Sequence, residues 1–179
     1  MLKKYYPYEY AKSVFTIDYK KLYDKGYRGV IFDIDNTLVH HGDNSNAAVD
    51  NLFVHIHNCG LKTVLLSNND TERIERFIKN IDTKYICDAD KPDTKGFYRA
   101  VEVLGISKDK AVYIGDQIFT DIVGANNSGI HNILVEYIKE ENETKIGIKR
   151  NLEKIILRFY KLRKKYQNRI GDIYKEEVG

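Results

Sequence analysis

Tryptophan is missing from this 179-residue chain, and proline (2), cysteine (2) and methionine (1) are scarce. Cys59 and Cys87 stand apart, with no CxxC or other metal-ligand spacing. That excludes a thiolate zinc site and a disulfide framework, and points to a reducing compartment with the cytoplasm as the expected location. No apolar run approaches the roughly 20 residues of a membrane-spanning helix. The opening MLKKYYPYEY has basic residues but no apolar stretch behind them, so neither a secretory signal nor a transit peptide is expected. Internal repeats and low-complexity linkers are also missing. The scarcity of Trp and Pro beside 14 tyrosines carries no functional reading.

The chain that remains has the length of one domain with short appendages, enough to bury a core of ordinary size. Hydrophobic residues make up 42% and charged residues 31%, the balance of a soluble globular class. Net charge is +3 but uneven. Residues 149–169 hold nine Lys or Arg against one acid, a net of +8, so the rest of the chain sums to −5. A mildly acidic body carries a basic C-terminal segment.

Short apolar runs alternate with amphipathic stretches. Strands are expected at 29–35, 62–67, 84–87, 111–115 and 132–136. Helices are expected at 47–58, 71–80, 94–104, 118–127 and about 146–168. Asn69 or Asp70 and Asp93 serve as caps, and Gly60 and Gly105 as stops. This alternation implies a doubly wound α/β fold: a five-stranded parallel sheet in a three-layer α/β/α arrangement. One domain is expected over 1–179, with its core at about 27–136 behind a lead-in at 1–26. In such a sheet the site lies beyond the carboxyl ends of the strands. Polar clusters do follow the apolar runs, at Asp33–Thr37, Ser67–Asn69, Asp90–Pro92 and Gly115–Gln117.

The residue types in those clusters suit phosphoryl transfer. Asp33 and Asp35 are spaced to face one side at a strand end. Asp33, ionised at neutral pH, is the candidate nucleophile for an aspartyl phosphate. Asp35 is the candidate general acid and base, provided its pKa is raised. Thr37 would orient the loop. Ser67 and Asn68, just ahead of a helix start, are expected to hold phosphoryl oxygens. Lys91 offers a compact charge to the transition state. Asp116 and Asp121 bring further carboxylates, whose mutual repulsion a divalent cation would relieve. An all-oxygen set favours Mg²⁺ over Zn²⁺. Asp33, the carbonyl of Asp35, and Asp116 are the expected ligands, with Asp121 one step behind.

DIDNT at 33–37, Ser67, Lys91-Pro92 and GDQIFTD at 115–121 occur in an order that resembles the haloacid dehalogenase (HAD) superfamily of phosphohydrolases. The SNN, KP and GDQxxTDxxGxN patterns look like its subfamily IIIA. They are similar to the YqeG-like bacterial proteins and their relatives among mitochondrial-type phosphatidylglycerophosphatases. The resemblance covers roughly residues 29–136. It implies a Mg²⁺-dependent phosphatase with phosphatidylglycerophosphate as a candidate substrate. Only 29 residues separate Thr37 from Ser67, and 23 separate Ser67 from Lys91. That leaves no room for a cap domain, so the site should be open to bulky phosphate esters.

Plainer readings stand beside this one. A calcium loop starting at Asp33 would want Gly at its sixth position and an acid at its twelfth, where Leu38 and Asn44 stand. Acids at strand ends can be caps and turns, which explains one cluster but not four in order. His40, His41, His55, His57 and His131 lack ligand-like grouping. In the last helix, apolar positions from Ile148 to Tyr166 recur at helical spacing among basic residues. This helix could cover the sheet and show its charges to water. It could lie on the inner face of an anionic membrane, or it could touch nucleic acid or the ribosome. The alternatives are therefore a phosphatase of a soluble metabolite, nucleotide or phosphoprotein, and a binding protein that uses the basic helix.

Overall fold

The computed structural model describes residues 2–139 and 147–176. Its six strands are β1 (Glu9–Ala11), β2 (Gly29–Phe32), β3 (Lys62–Leu66), β4 (Lys84–Ile86), β5 (Ala111–Gly115) and β6 (His131–Val135). All pair in parallel, in the order β1-β6-β5-β2-β3-β4. The helices are α1 (Tyr19–Asp24), α2 (Ala47–Asn58), α3 (Thr71–Phe77), α4 (Thr94–Leu104), α5 (Val123–Ser128) and α6 (Ile148–Lys161). Strand residues alternate between two cores. Val30 and Phe32 pack with Tyr19, Leu52, Phe53 and Phe77 from α1–α3. Ile31 and Tyr113 pack on the opposite face with Phe97 and Ala100 of α4 and Ala125 of α5. The result is the expected three-layer α/β/α sandwich.

Asp70 and Asp93 cap as the sequence marks, and Asn46, unmarked there, caps as well. The side chains of Asn46, Asp70 and Asp93 accept backbone N–H groups at the starts of α2, α3 and α4. Gly105 closes α4 in the left-handed region at φ 63°. Between Thr37 and Ser67, and between Ser67 and Lys91, the only helices are α2 and α3, so no cap is inserted. A Cβ on Gly124 would lie 2.3 Å from the Phe97 ring, which shows how closely α5 lies on α4.

Four expectations need correction. The sheet has six strands, not five. β1 adds to β6 at the edge, and its Glu9 is fully buried. A three-residue strand with a charge pointing inward leaves no period-2 signal. Its carboxylate accepts N–H groups from Ile170 (2.7 Å) and Gly171 (3.1 Å), and burial raises its pKa. Second, β2 stops at Phe32, so Asp33 and Asp35 stand beyond the strand, where strand alternation no longer applies. Third, the expected helix at 118–127 opens as a π-helical turn, Ile118–Ile122, before α5 begins. Fourth, the last helix ends at Lys161 and is followed by a short 3-10 turn at Lys164–Tyr166; position 146 lies outside the described residues.

The C-terminal tail clasps the lead-in. Asp18 N–H donates to the Ile173 carbonyl at 2.8 Å, and Ile17 bridges Tyr174. The Arg169 guanidinium donates to the Pro7 carbonyl at 2.8 Å.

Candidate active site

β2 and β5 are neighbours at the point where the strand order runs outward in both directions, and Asp33 and Asp116 follow their last residues. Gly115 permits this site. A Cβ there would lie 2.6 Å from the Asp121 carboxylate, so the glycine lets that acid pack against the strand end.

Lys91 lies at the centre, buried with the acids it pairs. Its Nζ donates to Asp33 Oδ1 (2.5 Å), Asp121 Oδ1 (2.8 Å) and the Tyr113 hydroxyl (2.9 Å). Burial alone would lower its pKa, but Asp121 and Asp33 outweigh burial and raise it, so the side chain is a permanent cation. Tyr113 donates to Asp121 Oδ1 at 2.7 Å, and Gln117 N–H donates to Asp121 Oδ2 at 2.9 Å. Both oxygens of Asp121 therefore have partners already. The Thr37 hydroxyl lies 3.2 Å from Asp33 Oδ2 and 3.3 Å from Asp116 Oδ1, tying the two strand ends together.

Among the described residues, Asp33, Asp116 and Asp121 form the one group of acids with ligand oxygens within 4.8 Å of one another. The Asp35 carboxylate is turned elsewhere. Asn36, in the left-handed region at φ 61°, reverses the chain directly after it. The Asp35 carboxylate accepts from Asn69 Nδ2 (2.6 Å), Arg73 Nη2 (2.9 Å) and Gly42 N (2.9 Å). Burial pushes Asp35 up, but these three donors outweigh it and hold its carboxyl below the usual range. The raised pKa that an acid at this position needs is not met in this arrangement.

Asp33, Asp35, Ser67, Asn68 and Lys91 line a cavity of about 170 Å³, with His41 at its rim. Ser67 accepts the Asn69 N–H at 3.1 Å. The Asn68 amide grips the backbone of Lys91, accepting its N–H at 2.8 Å and donating to its carbonyl at 3.4 Å. Asn68 thus sets the lysine's position as well as lining the cavity. Two arginines escaped the sequence reading. Arg73 in α3 anchors Asp35, and Arg150 in α6 reaches back to the Asp116 carboxylate, with Nη1 2.9 Å from the Asp116 carbonyl oxygen. Charged helical positions read as solvated faces, and nothing in their spacing marks these two as inward-pointing.

The acids repel one another. Burial raises Asp33 to about 6, against the pull of Lys91 and with the push of Asp121. Burial, Asp121 and Asp33 raise Asp116 to about 8, against the pull of Arg150. A carboxyl raised in this way keeps in the fold a proton that the unfolded chain releases near pH 4. Its stabilising contribution is present below that value and is lost as pH rises through the folded pKa. With a chelator present, the melting temperature should fall by several degrees between pH 5 and pH 8.5, and millimolar divalent cation should flatten that slope. Calorimetry across this range checks it; a melting point that rises with pH would contradict the repulsive cluster.

A family model described as HAD-hydrolase-like matches residues 88–147, the segment that carries Lys91, Asp116 and Asp121. Over 160 residues the chain is 36% identical to "Probable phosphatase YqeG" of Bacillus subtilis (strain 168), spanning 88% of this chain and 92% of that protein. The chain belongs to the YqeG-like phosphatases of the HAD superfamily. The fold agrees with this. A crystal structure of an uncharacterized protein from Listeria monocytogenes serotype 4b aligns with a TM-score of 0.52 at 20% identity, covering 75% of this chain and 99% of that one. As a HAD phosphatase, this YqeG-like chain takes a phosphate ester as substrate. No helix among the described residues is long and apolar enough to cross a membrane.

Proposed function

We propose that this phosphatase is a Mg²⁺-dependent phosphomonoesterase, working as one capless domain through an aspartyl phosphate on Asp33. Its substrate is a lipid-linked phosphate, with phosphatidylglycerophosphate as the candidate. The observation that carries the mechanism is the contact of Asp33 with Lys91 at the wall of an open cavity that also holds Ser67. Asp33 is the group placed to attack phosphorus. Even raised to about 6, it is ionised at neutral pH and needs no base. Lys91 neutralises charge on the phosphoryl oxygens, and Ser67 with the N–H groups after β3 binds them.

The donor set fits a hard divalent cation, because every candidate ligand is an oxygen. Asp33, Asp116 and the Asp35 carbonyl would hold Mg²⁺, while Asp121 orients Lys91. Bound there, Mg²⁺ supplies positive charge to the phosphoryl oxygens and offsets the repulsion of the carboxylates. Asp35, held ionised by Arg73, serves as the base for water in the second half-reaction. To protonate the leaving alkoxide, the Asp35 carboxyl must first be released by Arg73 and Asn69 and take up a proton from solvent, which it then passes to the alkoxide oxygen.

The lipid reading is supported by α6. Ile148, Leu152, Ile155, Phe159 and Leu162 recur at i, i+4, i+7, i+11 and i+14, and are 47–81% exposed. They form one outward stripe, and Lys154, Arg158 and Lys161 flank it. The helix meets the body through a different face, with Glu153 and Tyr160 buried and Ile156 and Leu157 packed against Ile118, Ile122 and Leu134. An apolar stripe with a cationic flank suits the surface of an anionic bilayer.

The test is phosphate release after chelation and Mg²⁺ restoration, from soluble aryl phosphate, nucleotides, phosphopeptides and a lipid phosphate in mixed micelles, together with flotation on anionic and neutral vesicles. We expect Mg²⁺-restored hydrolysis, preference for the lipid phosphate, and flotation with anionic vesicles only. Preference for a soluble ester without flotation would reject the lipid substrate, and inertness toward every ester would favour a binding protein.

A further inference from the structure

Arg150 makes more contacts with the catalytic end of the sheet than any mechanism above uses. Its Nη2 donates to Asp116 Oδ2, and its Nη1 donates to the Asp116 carbonyl (2.9 Å) and to Glu153 Oε2 (3.0 Å). The guanidinium lies 4.7 Å from the Tyr137 ring centroid. Glu153 is itself pinned, because its Oε1 accepts the N–H groups of Ile118 (2.7 Å) and Phe119 (3.3 Å) at the start of the turn after β5. One turn of α6 thus holds both the backbone and the carboxylate of Asp116. Ile156 and Leu157 of the helix pack against Ile118, Ile122 and Leu134, and this polar grip fastens the same side of α6 to the body.

We propose that Arg150 is a positioning residue that holds the Asp116 carboxylate in place and yields it to the divalent cation, so that metal binding exchanges α6's grip on the site for the metal. This rests on the reading of Asp116 as a metal ligand. The charges set the direction. Arg150 sits between two carboxylates, Asp116 and Glu153, whereas Lys91 serves Asp33 and Asp121. A dication bound at Asp116 beside an engaged guanidinium would set two cationic centres against that one carboxylate. With Arg150 shifted onto Glu153, which it already meets at 3.0 Å, each cation keeps an acid of its own. Planar, bidentate contact to a carboxylate and a carbonyl is also a geometry that arginine makes and lysine does not.

The experiment is calorimetric titration of the full chain with Mg²⁺, comparing wild type with Arg150→Gln and Arg150→Lys. It is paired with hydrogen exchange of the α6 amides in the wild type, with and without Mg²⁺. We expect Arg150→Gln to bind Mg²⁺ about tenfold more tightly, about 1.4 kcal/mol, with Arg150→Lys in between. Exchange across residues 148–161 of the wild type should speed up when Mg²⁺ is added, a readout that needs no variant to fold. Equal or weaker Mg²⁺ binding in Arg150→Gln, or α6 exchange indifferent to Mg²⁺ in the wild type, overturns the proposal and leaves the metal site standing. Failure of wild type and variants alike to bind Mg²⁺ overturns both.

Discussion

Replacing Asp33 with asparagine should abolish phosphate release while leaving the fold intact. Asparagine fills the same volume, and its carbonyl oxygen can still accept the Lys91 ammonium now 2.5 Å from Asp33 Oδ1. It cannot form an acyl phosphate. The expected loss is at least about 10⁴-fold, the scale on which removal of a covalent nucleophile acts. The stability effect should have the opposite sign. Burial and Asp121 make the Asp33 charge unfavourable enough to raise its pKa to about 6. Taking that charge away should therefore leave the melting temperature at pH 8 unchanged or higher. Phosphate release and calorimetry on the same sample separate the two effects. Activity persisting in Asp33→Asn would place the nucleophile elsewhere.

Lys91→Met should damage both activity and stability. Nζ is the shared partner of Asp33, Asp121 and Tyr113, and its removal leaves buried carboxylates uncompensated. Breaking a buried pair from one side costs about 3–5 kcal/mol. Loss of a positioned cation from the transition state should lower turnover by about 10²–10³-fold. The pH dependence is diagnostic. At pH 5, below the folded pKa of about 6, Asp33 already holds a proton and has less charge to strand, so the stability deficit should be smaller than at pH 8. Adding Asp33→Asn to Lys91→Met should recover part of the stability and none of the activity. Denaturant unfolding at the two pH values checks this. An equal deficit at both would mean that Lys91 acts through packing alone.

Much of the site was legible because Asp33, Asp116, Ser67 and Lys91 stand soon after apolar runs, and the parallel sheet aligns the ends of those runs. Asp33, Ser67, Lys91 and Asp116 meet for that reason. Asp35 shows where this reasoning stops. Two-residue alternation is a property of strands, and β2 ends one residue before Asp33. Local turn geometry then decides where the Asp35 carboxylate points. Arg73, Arg150 and Glu153 were missed because a charged residue on an amphipathic helix looks the same whether it faces water or a buried partner. β1 was missed because its pairing is set by β6, more than 120 positions away.

The clasp between the tail and the lead-in has a consequence for how the molecule is made. β1 joins a strand that is synthesised long after it, and the loops beside it are pinned by residues 169–174, which come later still. A nascent chain can assemble the central strands and the catalytic acids first, but its β6 edge stays open until the tail arrives. Open strand edges are templates for pairing with other chains. Contacts across more than 160 positions are also the slowest for a chain to close. The vulnerable interval in this protein's biogenesis should therefore last until residues 169–174 have been made, on the side of the sheet remote from β4.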